Sequence, residues 1–132
     1  MQEVFELLEN FGAYHIATVD SEGKPHVRPF GSKMMLDGKF YISCSVPKNV
    51  YDQLAANGAT EISAWREGME WLRISAMARE VTAEAEKQHV YANSFYAAPD
   101  SRMKRSIDEV AFFELTEVVA TYYAQEKKVF TW

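Results

Sequence analysis

The 132-residue sequence predicts a mainly β fold, an antiparallel barrel of six or seven strands with flanking helices. Three observations carry that expectation. Short segments rich in β-branched and aromatic residues recur along the chain. They are separated by turn signals such as Asp20-Ser21-Glu22-Gly23, Asp37-Gly38 and Arg66-Glu67-Gly68-Met69. One of them, Glu70 to Thr82, is long enough to need a bend or a bulge, as a closed or partly closed sheet requires. A doubly wound parallel sheet would instead alternate strands with helical crossovers.

The elements follow in order. Gln2 to Phe11 places Val4, Phe5, Leu8 and Phe11 on one helical face, and Gly12 stops the helix. Tyr14 to Val19, Pro25 to Leu36 and Lys39 to Ser45 read as strands, the last two joined by the Asp37-Gly38 hairpin signal, and the three are expected to form a meander. Val46 to Asn57 reads as a helix with Val50, Tyr51 and Leu54 on one face, ended by Asn57-Gly58. Strands Ala59 to Trp65 and Glu70 to Thr82 come next, then helices over Glu84 to Ser94 and Arg102 to Asp108 on either side of Pro99. Val110 to Ala124 and Val129 to Trp132 form a terminal hairpin turning at Gln125-Glu126-Lys127-Lys128. With no repeat, low-complexity tract or linker, residues 1–132 read as one domain.

Composition narrows the function classes. Hydrophobic residues at 48% and charged residues at 25% suit a globular core, and no apolar run approaches the roughly 18 residues of a membrane span. The acidic, amphipathic N-terminus lacks the basic region and continuous apolar stretch of a secretory signal, and the single cysteine, Cys44, permits no internal disulfide. Both point to a cytoplasmic protein. Fourteen basic against 19 acidic residues give a net charge of −5, which disfavours a general nucleic-acid surface. His15, His26 and His89 are scattered without ligand spacing, so no metal site is expected. No phosphate-binding glycine motif or serine-hydrolase elbow is present, and no residue stands out as catalytic.

The chemistry concentrates between Pro25 and Leu54. A basic strand carries Arg28 and Lys33; the next alternates Phe40, Ile42 and Cys44 on one face with Tyr41, Ser43 and Ser45 on the other; then Pro47-Lys48-Asn49 opens a helix. Free backbone N–H groups at that helix start, the hydroxyls of Ser43 and Ser45, and the charges of Arg28, Lys33 and Lys48 describe a corner for a phosphorylated ligand. Taken singly, each feature also reads as a solvated strand face, a routine cap or a cation reaching water. Cys44, on the apolar face, reads first as a small buried hydrophobe and second as a reactive thiol.

Three stretches in register, Arg28-Pro29-Phe30-Gly31-Ser32-Lys33, Phe40 to Leu54, and Trp71-Leu72-Arg73-Ile74-Ser75, resemble the pyridoxamine 5′-phosphate oxidase-like FMN-binding split barrels over nearly the whole chain. The size is similar to the small nitroimidazole-reductase-like and general-stress members. That resemblance implies a split β-barrel and a homodimer with FMN at the subunit interface. It implies that Arg28, Pro29 and Phe30 line the flavin ring, with Lys33 near the ring or ribityl chain. Ser43, Cys44, Ser45, Lys48 and Asn49 would approach the ribityl chain and phosphate, and Trp71, where relatives place a polar ring contact, would stack on or cover the cofactor or pack at the dimer contact. Ala76 stands where relatives often have glycine, and the basic residues that grip substrate phosphate in true oxidases cannot be placed around Glu126-Lys127-Lys128. Oxidation of pyridoxamine phosphate is therefore not expected.

Two functions stay open: an oxidoreductase passing electrons from a nicotinamide donor through FMN to a small acceptor, or a protein that stores or senses a flavin without turnover. A deazaflavin or haem in the same barrel is a third. Trp65, Trp71, Trp132, Tyr122 and Tyr123 exceed what a small barrel can bury and are expected to serve a subunit contact.

Overall fold

A computed structural model describes residues 1–124 and 126–132 of the chain. Helix α1 (Gln2–Phe11) precedes strands β1 (Tyr14–Val19), β2 (Pro25–Phe30), β3 (Met34–Leu36) and β4 (Lys39–Ser45). Helix α2 (Asn49–Ala56), strands β5 (Ala59–Arg66) and β6 (Glu70–Glu80), and helix α3 (Glu84–Ala92) follow. A single 3-10 turn (Ile107–Glu109) then leads into β7 (Val110–Tyr123) and β8 (Lys127–Thr131). All neighbouring strands are antiparallel, in the order β2-β1-β5-β6-β7-β4-β3, with β8 also on β7. One edge of β7 is shared: its first half pairs with β4, Ser45 opposite Val110, and its second half with β8.

The mainly β architecture with flanking helices is the one expected, but three local features differ. The expected strand Pro25 to Leu36 is two strands, because Gly31-Ser32-Lys33 interrupts it, which raises the strand count to eight. The first three strands consequently form no meander. β2 and β3 are the two ends of the strand path, so the barrel is split between them, and Pro29, which lacks a backbone donor, sits on an edge strand where it costs no ladder bond. Arg102 to Asp108 is not a helix. It has no apolar stripe to dock and is too short to repay helix nucleation, so only the 3-10 turn forms, held by a capping box between Ser106 and Glu109.

The expected bulge lies in the β6–β7 ladder between Ser75 and Met77, but the extra residue is on β7. Glu117 there adopts φ 52, the left-handed conformation that a bulge position accommodates. At the terminal hairpin, Lys127 and Lys128 belong to β8, while the expected turn residue Gln125 lies outside the described residues.

The barrel interior packs Tyr14, Ile16, Phe40, Ile42, Ile62, Leu72, Ile74, Phe113 and Leu115, sealed by Val4 and Leu8 of α1 and by Val50 and Leu54 of α2. Burying each such side chain contributes about 1.5–3 kcal/mol. A second cluster, Tyr41, Val81, Val90, Tyr96, Val110 and Phe112, lies where α3 and the segment after it cover the other face of β4 and β7. β4 is therefore covered on both faces: Phe40, Ile42 and Cys44 enter the barrel, while Tyr41 joins the second cluster on the face that also carries the hydroxyls of Ser43 and Ser45.

Candidate functional site

The site forms where β4 hands over to α2. β4 ends at Ser45, Val46-Pro47 turn the chain, Lys48 stays extended (φ −127, ψ 147), and Asn49 begins the helix. The backbone N–H of Val46 donates to the Glu109 carbonyl at 3.0 Å, which brings the start of β7 against the end of β4. The segment between α3 and β7 is tied back to α3, since the Tyr91 hydroxyl donates to the Arg105 carbonyl at 2.7 Å and Ser94 Oγ to the Tyr91 carbonyl at 2.7 Å. It thereby arrives over the β4–α2 junction.

A cleft of about 390 Å³ results, lined by Pro29, Phe30, Gly31 and Ser32, by Ser43, Cys44, Ser45 and Lys48, and by Phe95, Tyr96, Met103 and Arg105. A chain of hydroxyls crosses it: Ser32 Oγ lies 2.5 Å from Ser43 Oγ, which lies 3.0 Å from Tyr96 Oη. The Ser32 carbonyl accepts from Tyr14, and Ser32 Oγ accepts from the Ser43 backbone at 2.9 Å, so the Gly31–Lys33 crossing is pinned at its centre.

Lys48 and Arg105 are exposed and, among the described residues, neither has a carboxylate within ion-pair distance. Burial pushes the Cys44 thiol up to about 12, against the opposing pull of Lys48 and Arg28 and with a small upward push from Glu80. The thiol is neutral at physiological pH and is no nucleophile. Burial likewise raises Tyr96, partly offset by its hydrogen bond to Ser43. Two cations without a carboxylate partner among the described residues, Arg105 donating only to the Lys104 carbonyl at 3.2 Å, with aromatic and hydroxyl-bearing walls suit a planar ligand with an anionic tail. An FMN fits that donor set.

Of the residues expected from the sequence, Pro29, Phe30, Ser43, Cys44, Ser45 and Lys48 line this cleft, and Asn49 follows Lys48 at the start of α2. Lys33 lines a small adjoining void with Ser32, Ser43 and Phe95. Arg28 does not join Lys48. Its Nη1 donates to Thr18 Oγ1 and its Nη2 to Gln53 Oε1, each at 2.6 Å, and Thr18 Oγ1 donates to Gln53 at 2.5 Å. Trp71 also stands outside the cleft, stacked on Tyr123 with ring centroids 3.9 Å apart.

Sequence reasoning missed Gly31, Ser32, Phe95, Tyr96, Met103 and Arg105. The available signals were the Phe95-Tyr96 pair in a segment without helical periodicity and the cation immediately before the Ser106–Glu109 capping box. A larger cleft of about 440 Å³ near Glu70 and Tyr122 is less suited to an anion, because Glu70 lines it and is held by Arg66 at 2.5 Å and by the Tyr122 hydroxyl at 2.6 Å. His26 pairs with Asp20 across one turn at 2.7 Å and His89 with the distant Asp37 at 2.8 Å, and no group of three or more metal-binding side chains occurs among the described residues.

Comparison with known proteins agrees with the fold. A family profile described as pyridoxamine 5′-phosphate oxidase matches residues 1–121. No curated protein sequence matches the chain. Among solved structures, a NimC/NimA family protein from Clostridium acetobutylicum is similar over 100% of this chain and 92% of its own, with TM-score 0.83 and 25% identity. A heme binding protein from Mycobacterium smegmatis gives TM-score 0.73 at 14% identity, over 98% of this chain and 56% of that one. A pyridoxamine 5′-phosphate oxidase-related, FMN binding protein from Nostoc punctiforme gives 0.62 at 11% identity, over 96% and 90%. At those identities the last two share the fold alone. With its split barrel and a family match over residues 1–121, the chain belongs to the pyridoxamine 5′-phosphate oxidase family.

Proposed function

We propose that the chain is an FMN-binding flavoprotein that acts as an oxidoreductase, passing electrons from a nicotinamide donor to a small acceptor. The observation that carries this reading is the 390 Å³ cleft, in which two cations without acidic partners, Lys48 and Arg105, stand beside the hydroxyl of Ser45 and the rings of Phe30, Phe95 and Tyr96. Family membership supports it. Bound FMN would supply the hydride and electron chemistry. The chain's own residues bind and orient: Lys48 and Arg105 offset the phosphate charge, Asn49 stands beside them, and Ser43 and Ser45 offer hydroxyls to the ribityl chain.

Pro29 and Phe30 present apolar edge-strand surface to the ring, while Phe95 and Met103, both exposed, shield the mouth from water. Arg28 and Lys33 act on the ring's electrostatics from behind β2 and the crossing. Cys44 contributes only shape and an uncharged lining. Lys127 and Lys128 are strand residues, Lys127 with its ammonium 5.7 Å from the Tyr123 ring, and pyridoxamine phosphate oxidation is no part of this reading.

The same reading includes a cytoplasmic homodimer. Trp65 is 65% exposed, and across the ladders the Trp65–Trp71 and Trp71–Tyr123 pairs make an aromatic strip on β5, β6 and β7. Trp132 stacks with Phe130 at the end of β8. A second copy on that face would cover the strip and place Trp71 within reach of a neighbouring cofactor. Tyr122 is not part of it, since it packs inward against the barrel core.

One observation favours the alternative of a flavin-binding protein without turnover: burial raises both titratable groups enclosed in the cleft, Cys44 and Tyr96, so that each stays protonated and neither offers a general base. Purified protein titrated with FMN should quench the flavin's fluorescence, and bleaching of the bound flavin by NADH or NADPH should follow. Binding without bleaching by either donor selects the non-catalytic reading, and absence of binding rejects both.

A further inference from the structure

Past Lys48 and Arg105 the cleft does not close. A second cleft of about 320 Å³ is lined by Ser45, Pro47, Lys48, Arg105 and Glu109, so that Ser45 and the two cations belong to both. Glu109 is fixed there twice. Its carbonyl accepts from the Val46 backbone at 3.0 Å, and its Oε2 accepts from the Ser106 backbone at 3.1 Å, which leaves the other carboxylate oxygen free to accept.

A phosphate monoester ending at the cations would hold its dianion near that carboxylate with nothing to occupy the outer cleft. A pyrophosphate between the two cations, continued by a nucleoside, fills both clefts. It also meets the carboxylate with neutral ribose hydroxyls, donors that a fixed acidic side chain recognises. We propose that the outer cleft is a nucleoside subsite, so that the chain accepts a dinucleotide flavin as well as FMN, with Glu109 accepting from the ribose hydroxyls. This rests on the flavin reading above.

Titration of the purified protein with riboflavin, FMN and FAD, followed by fluorescence quenching and calorimetry, tests it. FAD should bind with a Kd no more than tenfold above that of FMN; a larger ratio overturns the proposal while leaving the FMN reading intact, whereas no binding of any of the three defeats that reading itself. Glu109→Gln keeps an acceptor for the Ser106 cap and should weaken FAD about tenfold relative to FMN, the scale of one hydrogen bond to a charged group. Electrostatics alone predicts the opposite sign, because removing the negative charge would tighten both ligands. A change in the FAD-to-FMN ratio below threefold, or toward tighter FAD, overturns the role of Glu109. Should Glu109→Gln not fold, competition on the wild type decides: ADP must displace FAD at lower concentration than inorganic pyrophosphate does, and equal potency overturns the subsite.

Discussion

At β2 the Arg28 guanidinium donates to Thr18 and Gln53, side chains that are themselves buried and hydrogen-bonded to each other. At the start of α2, Lys48 projects with Arg105 into an open cleft where no carboxylate is within ion-pair distance among the described residues. Both regions place a cation against α2, yet one closes a packing joint and the other leaves charge available. Burial holds Arg28 below the ordinary guanidinium range, a cost that neutral partners offset only in part. Lys48 is exposed. A cation in this fold is available to a ligand to the extent that its donors are not already committed to the chain.

Substitutions test that contrast, beginning with the largest expected effect. Lys48→Ala combined with Arg105→Ala should weaken FMN binding by more than a hundredfold, from about 1.5–3 kcal/mol for each charge-assisted contact, while the melting temperature without ligand stays within a degree or two. An affinity within threefold of wild type would remove the anion role from this cleft. Arg28→Ala should do the reverse. It leaves Thr18 and Gln53 short of a donor and should lower unfolding stability by about 1–3 kcal/mol in urea, with FMN affinity falling much less. Unchanged stability with lost binding would move Arg28 from the joint to the site.

The pH dependence sharpens the comparison from the buried side. Burial raises Cys44 and Tyr41 to about 12 and raises Tyr14 further. Groups whose folded pKa lies above the unfolded value stabilise fully below the unfolded pKa, here about 9 for the thiol and 10 for the phenols, and lose that contribution as pH rises toward 12. Stability should therefore fall steadily above pH 9, and Cys44 should resist iodoacetamide at pH 8 until the protein unfolds. Rapid alkylation of the native protein would show the thiol to be exposed. The smallest effect concerns the flavin's potential: Arg28→Gln and Lys33→Ala, each of which removes a positive charge, should each make bound FMN harder to reduce, by spectroelectrochemistry. An unchanged midpoint in both rejects their electrostatic role.

Much of the fold was legible because local patterns report local structure. Val4, Leu8 and the α1 stripe, the Asp37-Gly38 hairpin with φ 52 at Asp37, and the apolar parity of β4 each depend on neighbours within a few residues. The pairing of β2 and β3 was not legible. A break at Gly31-Ser32-Lys33 and a strand running through it share the same composition, and only competition among all possible ladders decides which forms. The same holds for the cleft. Its β2 and β4 wall was visible as Pro29, Phe30, Ser43, Ser45 and Lys48, within one short stretch of chain. Its opposite wall, Phe95, Tyr96, Met103 and Arg105, lies some fifty residues away, and is carried there by the Val46–Glu109 hydrogen bond and the ties to α3.

By itself the sequence determined that this is a strand-rich antiparallel protein with a cationic, hydroxyl-bearing turn before α2, because periodicity, turn chemistry and residue charge are properties of adjacent residues. Only the tertiary structure decided which cations stay free. Arg28 was captured by Thr18 and Gln53 while Arg105 was delivered to Lys48, since hydrogen-bond donors are committed by contacts between segments far apart in the chain.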